Sequence, residues 1–463
     1  MSHSEEKTAK KKFELPPTMA IIFVVLLIAA LATYIAPAGM YDTMMTDTGT
    51  EVLDPNSYHI IDRTPISLLD FMLAIPKGLN ATAPIIFMVL LSIAGIELLN
   101  ESKAIDAGIL TFIRKYRHMD LPLMIAMAII FGCIAGFAGW NIEFVPFIPI
   151  VVSVVRAMGY DDMLGLSIVV FPAASGWSSG IFNVFSTAIL HGLADLPLFS
   201  GWEYRLVSFV VFMIISLAFI IIYARRLKKN LAVGGEHEEA NQLEAQQDVE
   251  FTTRRKITLV VSIFAILLLT YGAIALGWGM NHVGGFWLLA GVVIGFINGY
   301  SVQRIVSVFI RGLQSIVPVC ILIGMASAVL SILQAGNLMH SLIHALAGIL
   351  SLVPKPFVGV VIFIMLTLLN GVTSGVHGKA AMLMPLLVPL ADILGISRQI
   401  VVLAFIFGDG FTNWFWPTAA IAVASTGAAN IPMERWMKQS WKMFVMLSAA
   451  AGILVFISYF IGY

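Results

Sequence analysis

The chain has 463 residues, 59% of them hydrophobic and only 12% charged. About a quarter of a soluble domain is charged, so a water-soluble globule is excluded and a polytopic membrane protein is implied. The 27 Lys and Arg balance the 27 Asp and Glu, which removes the basic surplus expected of a nucleic-acid partner.

From the amino terminus, Lys10-Lys11-Lys12 precedes an apolar run over 19–38. That run has about the 20 residues needed to cross a bilayer, which reads as a retained first span rather than a cleaved signal. Further spans are predicted near 82–100, 162–192 (broken), 205–224, 257–276, 284–299, 312–333, 399–428 (broken) and 439–460. Two more apolar segments, 121–158 and 354–395, carry Gly and polar residues at their midpoints and read as re-entrant hairpins. Cys133 and Cys320 lie far apart in apolar runs, with neither disulfide nor zinc spacing, and read as packing residues.

The chain also matches itself at an offset of roughly 235 residues. Thr33-Tyr34 recurs as Thr270-Tyr271, Lys77-Gly78-Leu79 with Pro84 as Arg311-Gly312-Leu313 with Pro318, Pro149 and Gly159 as Pro385 and Gly395, and Asn183-Val184-Phe185 as Asn413-Trp414-Phe415. The order is collinear, so a first repeat over 1–224 and a second over 257–463 are expected. The charged segment 225–256 would be a cytoplasmic linker, briefly helical around 238–245. With a cytoplasmic amino terminus, every Lys and Arg falls inside except Arg63, Lys77, Arg205, Lys355 and Arg398, which fall outside, and Lys379, at membrane depth. Span 284–299 has no spanning counterpart, only the amphipathic stretch 66–79, so the halves run in opposite senses after it. An inverted repeat with a hairpin and a broken helix in each half is the architecture of a secondary transporter, its substrate at the midplane.

Irregular backbone at membrane depth is tolerated only where protein or a water-lined cavity satisfies it, so polar clusters in these runs locate the site. The first hairpin tip offers Asn141 and Glu143, and the first break Ser178, Ser179, Asn183 and Thr187. The second tip, Asn370 to Lys379, offers Thr373, Ser374, His377 and Lys379, and the second break Asp409, Thr412, Asn413 and Thr418. Helix-end N–H groups suit a carboxylate, whereas carbonyls and side-chain oxygens suit a cation. Each Ser or Thr has the competing reading of a bond back to its own helix.

Ionisable groups in a membrane interior are expensive and usually functional. Asp409 reads as a contact to a substrate amine or coupling ion, or as half of a structural pair with Lys379. Lys379 faces a substrate carboxylate or neutralises Asp409 or Glu143. Glu143 is a proton-coupling or amine-binding candidate, or else a buried salt bridge, and His377 either titrates near neutral pH or packs. Coupling-cation contacts would come from Asn183, Asp409 and Asn413. His340 and His344 stand four residues apart without a third metal ligand and read as an interfacial face, and Trp177, Trp414 and Trp416 either stack on a substrate or pack near the kinks. No nucleotide loop, HExxH or GxSxG is present, so an enzyme reading has no starting residue.

Several runs resemble the YfcC-like carriers of the C4-dicarboxylate anaerobic carrier family, a group labelled as basic amino-acid antiporters. They are Pro385-Leu386-Leu387-Val388-Pro389-Leu390-Ala391-Asp392, Ser397-Arg398-Gln399, Phe407-Gly408-Asp409-Gly410-Phe411-Thr412-Asn413 and Pro417-Thr418. In the first half, Pro16-Pro17-Thr18, Tyr34-Ile35-Ala36-Pro37-Ala38-Gly39, Leu196-Pro197-Leu198-Phe199-Ser200-Gly201-Trp202 and Tyr223-Ala224-Arg225-Arg226 agree. The resemblance implies a homodimeric, ion-coupled carrier working by an elevator motion. The sequence departs from the family pattern at Gly375-Val376-His377-Gly378-Lys379, where Ser-Gly-Ser-Gly is usual, and at Val184, where Pro is usual.

The expectation is thus an all-α polytopic membrane protein of about nine spans and two re-entrant hairpins, in a bacterial inner membrane, with no cofactor beyond a coupling sodium or proton. It would be a secondary transporter of a small carboxylate-bearing solute. Acidic and basic groups at one depth favour an amino acid over a C4-dicarboxylate, which would find Asp409 repulsive. A passive channel is the alternative from another class.

Overall fold

The computed structural model describes residues 18–45, 51–54, 56–116, 119–231, 250–371, 376–417 and 419–463. Thr373, Ser374 and Thr418, and the brief helix expected around 238–245, lie outside them. Helices dominate. The first half runs α1 (Thr18–Ile35), α2 (Leu68–Ala81), α3 (Ala83–Ser102), α4 (Ala104–Tyr116), α5 (Asp120–Cys133), α6 (Ile148–Ala157), α7 (Asp162–Ser179), α8 (Thr187–Leu193) and α9 (Trp202–Leu231). The second runs α10 (Thr253–Ala275), α11 (Met280–Ile297), α12 (Val302–Ala335), α13 (Met339–Leu350), α14 (Lys355–Asn370), α15 (Val376–Leu394), α16 (Arg398–Gly410), α17 (Ala420–Ala428) and α18 (Met433–Phe460). Among the described residues eight helices are long and apolar enough to cross a membrane, or nine if α13 and α14, bent by 114°, form one span.

Several elements depart from the sequence expectation. Arg225 to Leu231 continue α9 rather than starting a linker. The stretches between the first spans and hairpins hold α4 and α13, which were not anticipated. Two antiparallel ribbons also add to the helical class: β1 (Ala38–Met40) with β4 (His59–Ile61), and β2 (Thr43–Met45) with β3 (Glu51–Leu53). The outer ribbon is tied to α13. Tyr41 N donates to His340 Nδ1 at 3.0 Å, Tyr41 Oη bonds His344 Nδ1 at 2.8 Å, and the Tyr58 ring stacks on His344 with centroids 3.8 Å apart. The two histidines therefore hold a ribbon.

Local chemistry sets the helix ends near the site. Asp161 caps α7 by accepting from Leu164 N at 2.8 Å, satisfying one of the donors a helix start leaves free. Gly180, at φ +53°, ends the same helix, a left-handed conformation that glycine adopts without a Cβ penalty. Small residues let helices approach closely: a Cβ on Gly291 of α11 would stand 2.5 Å from Gly95 O of α3, the packing expected where lipid supplies no hydrophobic driving force.

The interior divides into two large apolar clusters. One is built mainly from α5, α6, α7, α14, α15, α16 and α18. The other is built mainly from α1, α3, α11 and α12, with residues 181–199 packed against it. The two hairpins, α7 and the second broken helix belong to the first cluster, whereas Ile181, Phe182, Val184, Ala188 and Ile189 of the first break belong to the second.

Candidate functional site

The second hairpin and second break form one polar cluster. Asp409 closes the last turn of α16, and Lys379 projects from the first turn of α15. Their side chains are 3% and 4% exposed, with Lys379 Nζ 2.6 Å from Asp409 Oδ1. Asn413, on the 3-10 turn after α16, donates from Nδ2 to Asp409 Oδ2 at 3.0 Å.

Asn370, the last residue of α14, joins these groups. Its Oδ1 accepts from Lys379 Nζ, and its Nδ2 stands 2.5 Å from Thr412 Oγ1, 2.9 Å from Asn413 Oδ1 and 3.2 Å from Asp409 O. Thr412 Oγ1 in turn donates to Gly408 O at 2.7 Å. The broken backbone is thus satisfied from inside the protein, the condition for irregular chain at membrane depth. Of the two readings of Lys379 that involve Asp409 or Glu143, the geometry realises the pair with Asp409.

His377 stands two residues before Lys379 on α15. The residue is half-buried, and its Nε2 is buried and unpartnered among the described residues. Trp416 Nε1 donates to Thr367 O at 3.1 Å and Trp436 Nε1 to Trp414 O at 2.9 Å, so these indoles brace the break. Trp177 is buried in the apolar core.

The first hairpin and first break form a second cluster. The returning arm is entered through a π-helical turn, Ile134–Ala138, and a 3-10 turn, Ile142–Phe147. Between them Gly139, at φ +71°, passes so close to Asn183 that a Cβ would stand 2.6 Å from Asn183 Oδ1. Asn183 Oδ1 accepts from Phe185 N at 2.8 Å and Ser186 N at 3.2 Å. Thr187 Oγ1 donates to Gly180 O at 2.5 Å, closing the break. Glu143 accepts from Asn141 N at 2.8 Å, so its carboxylate caps the hairpin tip and forms no ion pair among the described residues. Asn141 Oδ1 and Asn183 Nδ2 are buried and unpartnered there, each with unused capacity for a ligand.

Ser178 and Ser179 bond back to Ala174 O at 2.7 Å and Gly176 O at 2.6 Å, the local alternative for such residues. Their hydroxyls can still accept. Ser178 is also where the clusters meet, since Gly410 of the second break packs directly against it. The structure therefore brings Lys379, Asp409, Thr412 and Asn413 into one cluster, Asn141, Asn183 and Thr187 into another, and joins them through Ser178.

Sequence reasoning did not place Asn370 among the binding residues, although it is the hub of the charged cluster. The available signal was an amide side chain at the start of a hairpin tip. Nor did it single out Arg205, expected only to lie on the outer side of the membrane. The structure buries it completely, with Nη2 donating to Phe199 O at 2.9 Å and Nη1 3.1 Å from Tyr463 Oη and 3.3 Å from His191 Nε2.

Comparison with known proteins agrees with this architecture. Across its full length the chain is 28% identical to the Escherichia coli protein named "Putative basic amino acid antiporter YfcC", also covered in full. Two solved structures superpose with a TM-score of 0.74 over 97% of the chain. They are the YdaH transporter of Alcanivorax borkumensis, at 15% identity and covered to 99%, and MtrF of Neisseria gonorrhoeae, at 16% and covered to 96%, described as illuminating a class of antimetabolite efflux pumps. At such identities they establish the fold alone, that of a polytopic helical membrane protein. The model of the DcuC family, C4-dicarboxylate anaerobic carrier, matches residues 15–460, and the chain belongs to that family.

Proposed function

We propose that the protein is a secondary active transporter that moves a small carboxylate-bearing solute, with an amino acid favoured, by alternating access. The observation that carries this reading is the buried Lys379–Asp409 pair between a hairpin tip and a helix break. Desolvating two charges commonly costs more than their attraction returns, so the pair is a poor device for stability, and intramembrane charges mark substrate and ion pathways. A zwitterion would open the pair and replace one contact by two, its carboxylate on Lys379 and its ammonium on Asp409. The amides of Asn413 and Asn370, and the unused Asn141 and Asn183 groups, complete the cage. Asn183, Asp409 and Asn413 also offer oxygens to a coupling sodium, and His377 and Glu143 offer sites for a coupling proton.

Family membership favours a second reading, a C4-dicarboxylate carrier. A dianion would meet Asp409 as a repulsive neighbour unless a bound cation or Lys379 covered it.

The rest follows as part of the same proposal. Each half contains a helical hairpin followed by a broken helix, which supports an inverted repeat over 1–224 and 257–463. The hairpins, α7 and the second break share one apolar cluster, while α3, α11 and α12 lie in the other with the first break packed against them, a division that supports an elevator motion of one body against the other in a homodimer. Basic residues near 225–229 and 254–256 support a cytoplasmic amino terminus in a bacterial inner membrane.

The test is a thermal-shift screen of the purified protein against amino acids and C4-dicarboxylates, each with and without sodium. A ligand at about 100 times its dissociation constant adds about 2.7 kcal/mol. A sodium-dependent shift by one class assigns substrate and ion together. Counterflow of that solute in proteoliposomes, absent in Asp409→Asn, separates a carrier from a channel. Unchanged affinity and ion dependence in Asp409→Asn would remove the role given to that residue.

A further inference from the structure

A cavity of about 740 Å³ opens between α4, α10, α11 and the first hairpin, away from the charged cluster. Its walls include Phe112 of α4, Leu259 and Ile263 of α10, Ile134 and Phe137 of the hairpin, and Trp287 of α11. Ser262, a polar side chain inside it, donates to Thr258 O at 2.8 Å, so the interior presents apolar surface. Two cations stand at its lining. Lys115, in the last turn of α4, lines the cavity with Nζ 5.4 Å from the Tyr116 ring, and Lys256 stands 5.6 Å over the ring of Phe251, another lining residue. Among the described residues neither ammonium is in an ion pair, so each is available to an anionic group.

The depth identifies the guest. From Lys256 to Leu267, the deepest α10 residue lining the cavity, the helix rises about 16 Å. That is half of the ~30 Å hydrocarbon core, or one leaflet. A soluble carboxylate has no use for such a chamber, whereas an acyl chain ending in a phosphate at the membrane surface fits both its depth and its charge.

We propose that the cavity is a specific site for an anionic phospholipid. One acyl chain lies between α4, α10 and the first hairpin, and the headgroup phosphate rests on Lys115 and Lys256. The chain's far end meets Phe137 and Trp140, beside the Gly139–Asn183 contact, so the lipid packs the hairpin tip against α3 and α11. This site is independent of the transport reading above.

The experiment is native mass spectrometry of the detergent-purified full chain titrated with phosphatidylglycerol or phosphatidylcholine of identical acyl chains. Phosphatidylglycerol is expected to bind more tightly, and Lys115→Gln and Lys256→Gln each to weaken it about fivefold while leaving phosphatidylcholine unchanged. Gly108→Phe attacks the chain instead of the headgroup: a Cβ there would face Leu259 Cδ2 at 3.4 Å and Phe251 at 3.8 Å, so the ring enters the cavity and binding of both lipids falls. Retention of the wild-type helical circular dichroism by each variant excludes misfolding as the cause. Equal affinity of the wild type for the two lipids overturns the proposal. So does phosphatidylglycerol binding that survives Gly108→Phe, since that lipid would lie on the protein's outside.

Discussion

Gly410 and Ser178 bring the two broken helices into direct contact, and a Cβ on Gly410 would stand 2.6 Å from Ser178 Cα. A contact to backbone rather than to a flexible side chain can be relieved only by moving a helix. Overpacking of this kind typically costs about 1–3 kcal/mol. Gly410→Ala is therefore expected to lower the unfolding midpoint of the purified protein, followed by tryptophan fluorescence. Gly427→Ala on α17, where nothing lies within 4 Å of the added carbon, should change stability by no more than about 0.5 kcal/mol. Equal midpoints for the two variants would mean that the breaks do not bear on one another.

The ion pair separates structural from functional roles. Removing one partner strands the other charge in a low-dielectric site, and such losses cost about 3–5 kcal/mol. Asp409→Asn and Lys379→Met should each destabilise the protein by that order. The double variant should regain most of the loss because no charge is left unpaired, yet it should transport nothing. The check is a four-corner cycle of unfolding midpoints together with proteoliposome uptake. A double variant that is stable and still transports would make the pair structural.

Arg205 supplies a third expectation. Its guanidinium is enclosed by the turn from Ala194 to Gly201, in which Asp195 and Phe199 hold φ of +54° and +58°, and it reaches Phe199 O, His191 and Tyr463 at once. A lysine ammonium has no planar fork with which to serve these three partners together. Arg205→Lys is expected to cost stability on the order of 2 kcal/mol, the scale of lost hydrogen bonds to a charged group. It should also increase protease cleavage in the 194–201 turn, and unaltered proteolysis would contradict the anchoring role.

These residues also show what the sequence could reveal. Asp409 and Lys379 stand out in the linear chain because a charge within an apolar run has few explanations, and the hairpins announce themselves by glycines and polar residues at mid-span. Asn370 does not stand out. It is one neutral amide among several, and its role arises only because the fold returns Asp409 to it across 39 residues. The burial of Arg205 was hidden for a similar reason, since left-handed Asp195 and Phe199 are imposed by packing and not by residue type. The short ribbons and α13 follow the same logic: three-residue strands carry too little alternation to detect, and their stability comes from Tyr41 and Tyr58 meeting two histidines almost 300 residues away.

That last contact gives a pH-dependent expectation. Burial, with Tyr58 nearby as a second contributor, raises the Tyr41 phenol above its ordinary value, while its hydroxyl bonds His344 Nδ1 at 2.8 Å. At neutral pH, Tyr41→Phe should cost about 0.5–1.5 kcal/mol, the worth of one hydrogen bond. The sign at alkaline pH follows from linkage. Because the folded state holds its proton more tightly than the unfolded chain, the phenol's contribution is complete below the unfolded value of about 10 and is lost as pH rises through the folded one. The stability difference between wild type and Tyr41→Phe should therefore be flat from neutrality to about pH 10 and shrink above it. Unfolding midpoints of both proteins across that range provide the measurement, and a difference that grows with alkalinity would show that the phenol ionises more readily when folded, contrary to its buried place against α13.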